Sequence, residues 1–257
     1  MSSFSLTKWR LFLTVLPFTL LFGLVKVGMH RLGWEPWAFD SLTAALFGSA
    51  TFVIAFVLSG TLREFNDSAN MPVQIANSLE TIQDSSLLIA KLSPDYNPQP
   101  LTTELIAVAK GLVDWLQQGK PVDDVEAALY RLNANLAGLL QHGNGPIVSR
   151  TQTELAKIRI LVSQIAIIRD TEFLGPAYAL LEIFLVGTVV ALLLIGADRF
   201  SENLVVSSLL VMSFTYLLLL IRDLDNPFQY DGKSCADVDL SSLETVCDRL
   251  HKSMSQE

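Results

Sequence analysis

Four segments of the chain are almost continuously apolar, at residues 11–27, 41–62, 177–197 and 204–221. A helix needs about 17–25 mostly apolar residues to cross a bilayer, and each segment has that length. Core helices of a soluble protein are the alternative, but four segments of spanning length favour four transmembrane helices. A cleaved signal peptide is the alternative for the first segment. We interpret it as a retained span, because no small-x-small cleavage site follows it and Lys26, His30 and Arg31 come instead.

The stretch between the second and third spans is not membrane-like and has helical periodicity. Apolar residues recur at intervals of three and four across residues 73–92, 102–118, 123–140 and 149–168. Turn signals separate these helices, and no strand or internal repeat is expected. The predicted fold class is therefore an all-α integral membrane protein. Its predicted parts are a transmembrane pair at 1–62, a cytosolic helical region at 63–176, a second pair at 177–221 and a cytosolic tail at 222–257.

Lysine and arginine residues near the span ends predict the orientation, because cytoplasmic loops carry an excess of these residues. The side that holds both termini carries five and the other side carries three: Lys8, Arg10, Arg63, Arg169 and Arg222 against Lys26, Arg31 and Arg199. Both termini are therefore predicted to be cytoplasmic. The cysteines of the tail then lie in a reducing compartment, where a disulfide is not expected.

Composition and motifs narrow the function classes. Charged residues make up 17% of the chain, against about a quarter in soluble domains. The formal net charge of −8 argues against a nucleic-acid partner. The sequence contains no Gly-rich phosphate loop, HExxH, CxxC or nucleophile elbow, so an enzyme is not expected.

Two polar segments follow spans directly. Residues 61–72 begin with Arg63 at the end of the second span, where a snorkelling anchor is the simplest interpretation. Residues 222–239 follow the fourth span and are rich in carboxylate and amide oxygens, which are the ligands that calcium prefers. A solvated acidic linker is the alternative, because no EF-hand register is present. The oxygen-bearing residues of the second segment are Asp223, Asp225, Asn226, Asp231, Asp237 and Asp239.

Together these segments resemble motifs of the bestrophin family of ion channels. That family carries an Arg-aromatic run followed by Asn-x-Pro after its second span, and an Asn-Pro-Phe followed by acids after its fourth. The matching residues here are Arg63, Phe65, Asn66, Asn70 and Pro72, and then Asn226, Pro227, Phe228 and Asp231. The acidic run is interrupted here at 232–236, and Glu64-Phe65 replaces the family's aromatic pair. These departures concern calcium gating more than the fold.

The resemblance implies a passive ion channel, selective for chloride or similar anions, that assembles as a homopentamer in membrane lipid. Four spans of one subunit are too few to enclose the pore, so a closed ring of copies is expected. A cation-conducting channel of the same fold is one alternative function. A non-conducting membrane sensor or assembly protein is the other.

The second span is predicted to line the pore. In the family, three bulky apolar residues spaced four apart form a neck on this helix. Counting back from Arg63 and Pro72 places them at Phe47, Thr51 and Ala55, so that only the first keeps its bulk and the neck is wider. A register shifted by one residue gives Gly48, Phe52 and Phe56 instead, and Ser59 lies near the end of the same span. Close helix packing is the alternative explanation for the small residues.

Two further site predictions concern charged residues. Glu182 lies within the third span and is expected to face the protein interior, because a charge in lipid is costly. The resemblance implies calcium as a candidate cofactor in a belt between subunits, with Asp223, Asn226 and Asp231 as ligands. The family's last acid falls at Ser234, and Asp237 or Asp239 can replace it if the interruption loops out.

Overall fold

The computed structural model is almost entirely helical and describes residues 3–143, 145–170, 175–232 and 234–255. Two short strands pair with each other in parallel, and both lie beside the ends of apolar helices. The elements within these ranges are α1 (Ser3–Arg31), β1 (Trp37–Ala38), α2 (Ser41–Leu92), α3 (Gln99–Gln118), α4 (Asp123–His142), α5 (Gly145–Asp170), α6 (Gly175–Leu194), β2 (Ile195–Gly196), α7 (Phe200–Asp225) and α8 (Ser241–Ser255).

The predicted all-α membrane fold with four spans is confirmed. The helices long and apolar enough to cross a membrane are α1 from Trp9, α2, α6 and α7. The expectation that the chain has no strand is wrong, because Trp37 pairs with Ile195 and Ala38 with Gly196. The third span ends as a helix at Leu194, earlier than predicted, and continues into β2.

The chain forms two compact units, each with its own core. It leaves the first unit after Phe65, returns to it between α5 and α6, and leaves it again after Asn226. The first unit is built from α1, the first half of α2, α6 and α7. Its apolar side chains form two buried clusters: Phe22, Phe47, Ala191, Leu192, Ile195 and Val211 in one, and Ala50, Ile54, Leu181, Phe214 and Ile221 in the other.

The second unit buries the helical stripes that the sequence predicts between the second and third spans. Leu105, Leu112 and Leu132 are fully buried, as the spacing of apolar residues in α3 and α4 requires. Polar bonds add to this core: the hydroxyl of Thr102 donates to Gln83 Oε1 at 2.9 Å, and that of Ser78 donates to Glu154 Oε2 at 2.7 Å.

Helix α2 runs without interruption through the first polar segment. The predicted span at 41–62 and the predicted helix at 73–92 are parts of this one helix, which contains Pro72. The Asn70 side chain donates to the Asn66 carbonyl at 2.8 Å, one turn back, just before the proline. The first polar segment is therefore helical, with its polar side chains distributed around α2.

Candidate ion-conduction site

The membrane-spanning part of α2 has two different faces. Ala50 and Ile54 pack into the core of the first unit, one turn apart, and Thr61 is buried two turns further on. The opposite face consists of exposed small or weakly polar residues interrupted by two phenylalanines, Phe52 and Phe56, which are 72% and 73% exposed. The other exposed members of this face are Gly48, Ser49, Thr51, Ala55, Ser59 and Gly60.

The structure places Phe47 on the core face, which does not favour its predicted place in the pore. Only 8% of Phe47 is exposed, and it packs with Phe22, Leu192 and Val211. A side chain buried among the helices of its own unit cannot contact an ion in a pore. Thr51 and Ala55 are exposed, but so are all three members of the shifted register, Gly48, Phe52 and Phe56. The shifted register is therefore the one that this packing favours.

Arg63 is exposed on α2, and the residues after it continue the helix into the second unit. There Asp67, Asn70 and Gln74 line a groove together with Leu161 and Gln164 of α5. Polar residues that follow the second span thus line a surface groove between α2 and α5.

The acidic segment after the fourth span is folded onto the second unit from Pro227 onward. Phe228 is fully buried, and the Pro227 carbonyl accepts a hydrogen bond from the Val238 amide at 3.0 Å. The hydroxyl of Tyr230 donates to the Val238 carbonyl at 2.6 Å. Burial, together with Asp237 and Asp239, raises the pKa of this phenol, so it stays a hydrogen-bond donor. The Asn-Pro-Phe motif therefore anchors a closed loop.

The predicted calcium ligands are not gathered into one carboxylate cluster. Among the described residues, no group of three or more His, Cys, Asp or Glu side chains is placed to hold a metal ion. Asp223 and Asn226 belong to the first unit, and Asp231, Asp237 and Asp239 to the second. Asp239 already accepts hydrogen bonds from the Ser241 amide at 2.9 Å and the Ser241 hydroxyl at 2.6 Å, which lower its pKa and start α8. The calcium site stays a prediction.

A polar cluster that sequence reasoning missed lies beside the loop from α1 to α2. Lys26, Glu35 and His30 form it, and we call it the Lys26 cluster. The Lys26 side chain is fully buried, with its Nζ 2.8 Å from Glu35 Oε1. His30 Nδ1 lies 2.9 Å from Glu35 Oε2, and its ring stacks on Phe200 with centroids 3.9 Å apart. The spacing of Lys26 and His30, one turn apart, was the available signal, but nothing in the sequence pointed to their shared partner.

The fold matches known membrane proteins over almost the whole chain. A crystal structure of a bacterial bestrophin homolog from Klebsiella pneumoniae, phased with zinc, superposes with a TM-score of 0.73 at 15% identity, covering 97% of this chain and 98% of that one. A point variant of a bestrophin homolog from the same organism gives 0.74 at 14% identity, covering 95% and 97%. A variant described as a membrane protein gives 0.72 at 14% identity, covering 98% and 99%.

This chain has the bestrophin fold. The resemblance drawn from its two polar segments is thus confirmed at the level of the fold. No protein-family model matches the sequence, and no curated protein matches it. The identities of 14–15% mean that the bestrophin fold is kept here with few of the same residues.

Glu182 is exposed on α6 rather than covered by its own unit. Its neighbours Ile183 and Val186 are exposed too, so this surface of α6 is largely apolar. The predicted inward orientation is thus not provided by the chain itself. A second protein surface has to cover Glu182 if it is to be shielded from lipid.

Proposed function

We propose that the chain is a subunit of a passive ion channel, in which a ring of copies brings the exposed face of α2 to a central pore. The observation that carries this proposal is the two-faced character of α2. One face packs into the core of its own unit, and the other exposes Gly48, Ser49 and Ser59 together with Phe52 and Phe56. The similarity of the fold to crystal structures of bestrophin homologs supports the same interpretation.

The narrowest part of the pore is proposed to lie at Phe52 and Phe56. Both rings extend away from the core, and one turn of helix separates them. Rings of apolar side chains can gate a pore by excluding water. Gly48, one turn before Phe52, leaves open space, because nothing lies within 4 Å of the position that a Cβ would occupy there. The proposed constriction therefore has two aromatic levels, and Gly48 adds no side chain on the approach to them.

The proposed ions are chloride and similar anions, which the bestrophin resemblance implies. Cation conduction is the second candidate, because Asp67 lines the groove beside α2 and the chain has a net charge of −8. The reversal potential under a potassium chloride gradient separates the two, because it shifts toward the equilibrium potential of the permeant ion. A homopentamer with both termini in the cytoplasm is proposed as the assembly.

Ion flux from purified protein in liposomes tests the function. Phe52→Ala and Phe56→Ala should each raise flux, because they remove bulk from the constriction. Phe18→Ala is the matched control, because Phe18 is an equally apolar side chain of α1, 59% exposed, outside the proposed pore. Assembled wild-type protein that carries no ions, or equal effects of all three variants, would contradict the proposal.

Calcium in the segment after α7 is a separate proposal. Carboxylate and amide oxygens of Asp223, Asn226, Asp231 and Asp237 suit a hard cation, whereas Asp239 would have to release Ser241. Calcium titration of the purified protein, followed by thermal unfolding, tests it. Stabilisation that Asp231→Asn removes supports binding, and unchanged unfolding at millimolar calcium argues that the segment is a connector.

A further inference from the structure

Lys26 is a charged residue of a membrane-spanning helix, yet its side chain has no exposed surface. Its Nζ donates to the Ile195 carbonyl at 2.5 Å and to the Leu193 carbonyl at 3.2 Å, and it lies 2.8 Å from a Glu35 carboxylate oxygen. An ammonium group has three protons to donate. Two of these protons go to backbone carbonyls, and the Glu35 carboxylate compensates the charge as an ion pair, so specific partners offset the cost of burying it.

The two carbonyls belong to the place where α6 stops. The last carbonyls of any helix lack partners within the helix, and a cation near them is favourable. Lys26 supplies such a cation from α1, and the Asn203 side chain of α7 also donates to the Ile195 carbonyl at 3.0 Å. Lys26 thus joins the end of α6 to α1 at a point where the backbone changes from helix to strand.

The third partner, Glu35, begins the loop segment that leads into α2. The backbone of Gly196 approaches Glu35 closely: an added Cβ at Gly196 would lie 3.1 Å from the Glu35 Cβ, so a larger residue there would require Glu35 to shift by a few tenths of an ångström. Two residues later Trp37 pairs with Ile195. Asp40 then begins α2 by accepting the Thr43 amide on Oδ1 at 2.8 Å. Three contacts therefore hold this loop before α2 starts: the ion pair of Glu35 with Lys26, the pairing of Trp37 with Ile195 and the hydrogen bond between Asp40 and Thr43.

The same loop also contacts α2 further along. The rings of Phe39 and Phe47 stack with centroids 6.2 Å apart and planes 13° apart. Phe47 is buried in the core and immediately precedes Gly48 on the exposed face. The rotation of α2 about its axis is therefore tied to the loop that the Lys26 cluster holds.

We propose that Lys26 is a positioning residue for the pore. Through Glu35 and the β1–β2 pair it fixes the first turns of α2, and with them the face that begins at Gly48. This inference rests on the proposed function, since α2 is the proposed pore helix. Lys26 touches no permeant ion and acts only through the backbone that it holds.

Positioning can be separated from stability by changing one partner or both. Removing one partner of a buried ion pair leaves an uncompensated charge and is strongly destabilising, whereas replacing both by apolar residues is often neutral. Lys26→Met with Glu35→Met should therefore recover folding stability. The double variant does not restore the hydrogen bonds to the Leu193 and Ile195 carbonyls or the ion pair that links α1 to the loop before α2.

The experiment measures thiol labelling of Gly48→Cys by an aqueous reagent, in a full chain whose Cys235 and Cys247 are replaced by serine. Labelling rate, thermal unfolding and liposome flux are compared for Lys26→Met, for the double variant and for Glu35→Gln. Arg199→Gln is the matched control, because it breaks an ion pair with Glu202 that is exposed and lies at the start of α7.

Lys26→Met should lower the unfolding temperature and change the labelling rate several-fold. The double variant should regain wild-type stability but keep the altered labelling rate and flux. If Lys26→Met does not assemble, Glu35→Gln carries the test, because it keeps the lysine and its carbonyl bonds and should still alter labelling. Arg199→Gln should leave the labelling rate as in wild type.

Wild-type labelling in the double variant or in Glu35→Gln would overturn the inference, since Lys26 would then contribute stability alone. An effect of Arg199→Gln equal to that of Lys26→Met would overturn it too. The proposed function fails separately, if the assembled wild-type protein carries no ions. The labelling rate at position 48 needs no ion flux and still decides the positioning role in that case.

Discussion

Burial decides, residue by residue, which aromatic side chains of α2 can reach a pore. Phe47, Phe52 and Phe56 are chemically identical and lie within three turns of one helix. Spacing alone allowed two registers, because both place residues four apart on one face. Only the packing of α1, α6 and α7 distinguishes them, by burying Phe47 and leaving the other two exposed. Such packing depends on distant residues, which a local pattern does not contain.

The register predicts opposite outcomes at adjacent positions. In a cysteine-free background, Gly48→Cys and Phe52→Cys should react with aqueous thiol reagents, and Phe47→Cys should not. Phe47→Ala should also destabilise the protein by about 3–5 kcal/mol, as loss of a buried ring does. Labelling rates and chemical unfolding measure these effects. Fast labelling at position 47 with none at 48 and 52 would restore the original register.

The Lys26 cluster predicts a pH dependence of stability. Burial opposes ionisation of Glu35, but hydrogen bonds with His30 and Lys26 and their positive charge outweigh it and lower the pKa of this carboxyl. A lowered pKa means that the carboxylate stabilises the fold above its unfolded pKa, and that this contribution is lost as pH falls through the folded value.

Thermal unfolding of wild type and Glu35→Gln between about pH 7 and about pH 3 checks this dependence. The variant should be less stable near neutral pH by about 3 kcal/mol, because it leaves Lys26 buried without its counter-charge. The difference should shrink toward the acid end. A constant difference over the whole range would show that the Glu35 charge makes no contribution.

Among the elements, the long apolar helices were predicted well and the short or interrupted ones were not. Spans and amphipathic stripes repeat over many residues, so their pattern is clear. The β1–β2 pair has two residues on each strand, too few for any period. The end of α6 was placed late because Ile195 is as apolar as the helix before it. Helix α8 was missed within a polar tail, although Leu243, Val246 and Leu250 carry its helical spacing and are buried.

Helix α8 is predicted to be part of the folded core of the second unit. Leu250→Ala should destabilise that unit by about 2–5 kcal/mol, because it empties a buried site on α8, a helix that packs against α3. Thr245→Ala, at an exposed position of the same helix, should change stability by less than about 0.5 kcal/mol. Limited proteolysis and chemical unfolding report both. Equal behaviour of the two variants would mean that α8 is not docked in solution.

At the scale of the whole molecule, an acidic side chain within the third span is not covered by its own chain. Glu182 is exposed on a spanning helix beside Ile183 and Val186. The cost of placing such a group in lipid is about 3 kcal/mol, and the proposed ring would repeat it in every subunit. We therefore expect a neighbouring protein surface, rather than lipid, against this face of α6.

The proposed ring predicts that Glu182→Gln weakens assembly. Native mass measurements in several detergents should show five copies for wild type and a larger dissociated fraction for the variant. Ile183→Leu is the control, because it changes an exposed neighbour without changing charge. A monomer or dimer of wild type in every detergent would exclude the ring, and full assembly of the variant would place Glu182 outside the interface.

Single-channel recording of purified protein in a planar bilayer tests the central claim most directly. Wild type should give discrete currents under a salt gradient, and Phe52→Ala should raise the unitary current because it widens the proposed constriction. Phe18→Ala, on the exposed surface of α1, should leave the unitary current as in wild type. Absence of current from the assembled wild-type protein, or a unitary current that Phe52→Ala leaves unchanged, would contradict a pore lined by the exposed face of α2.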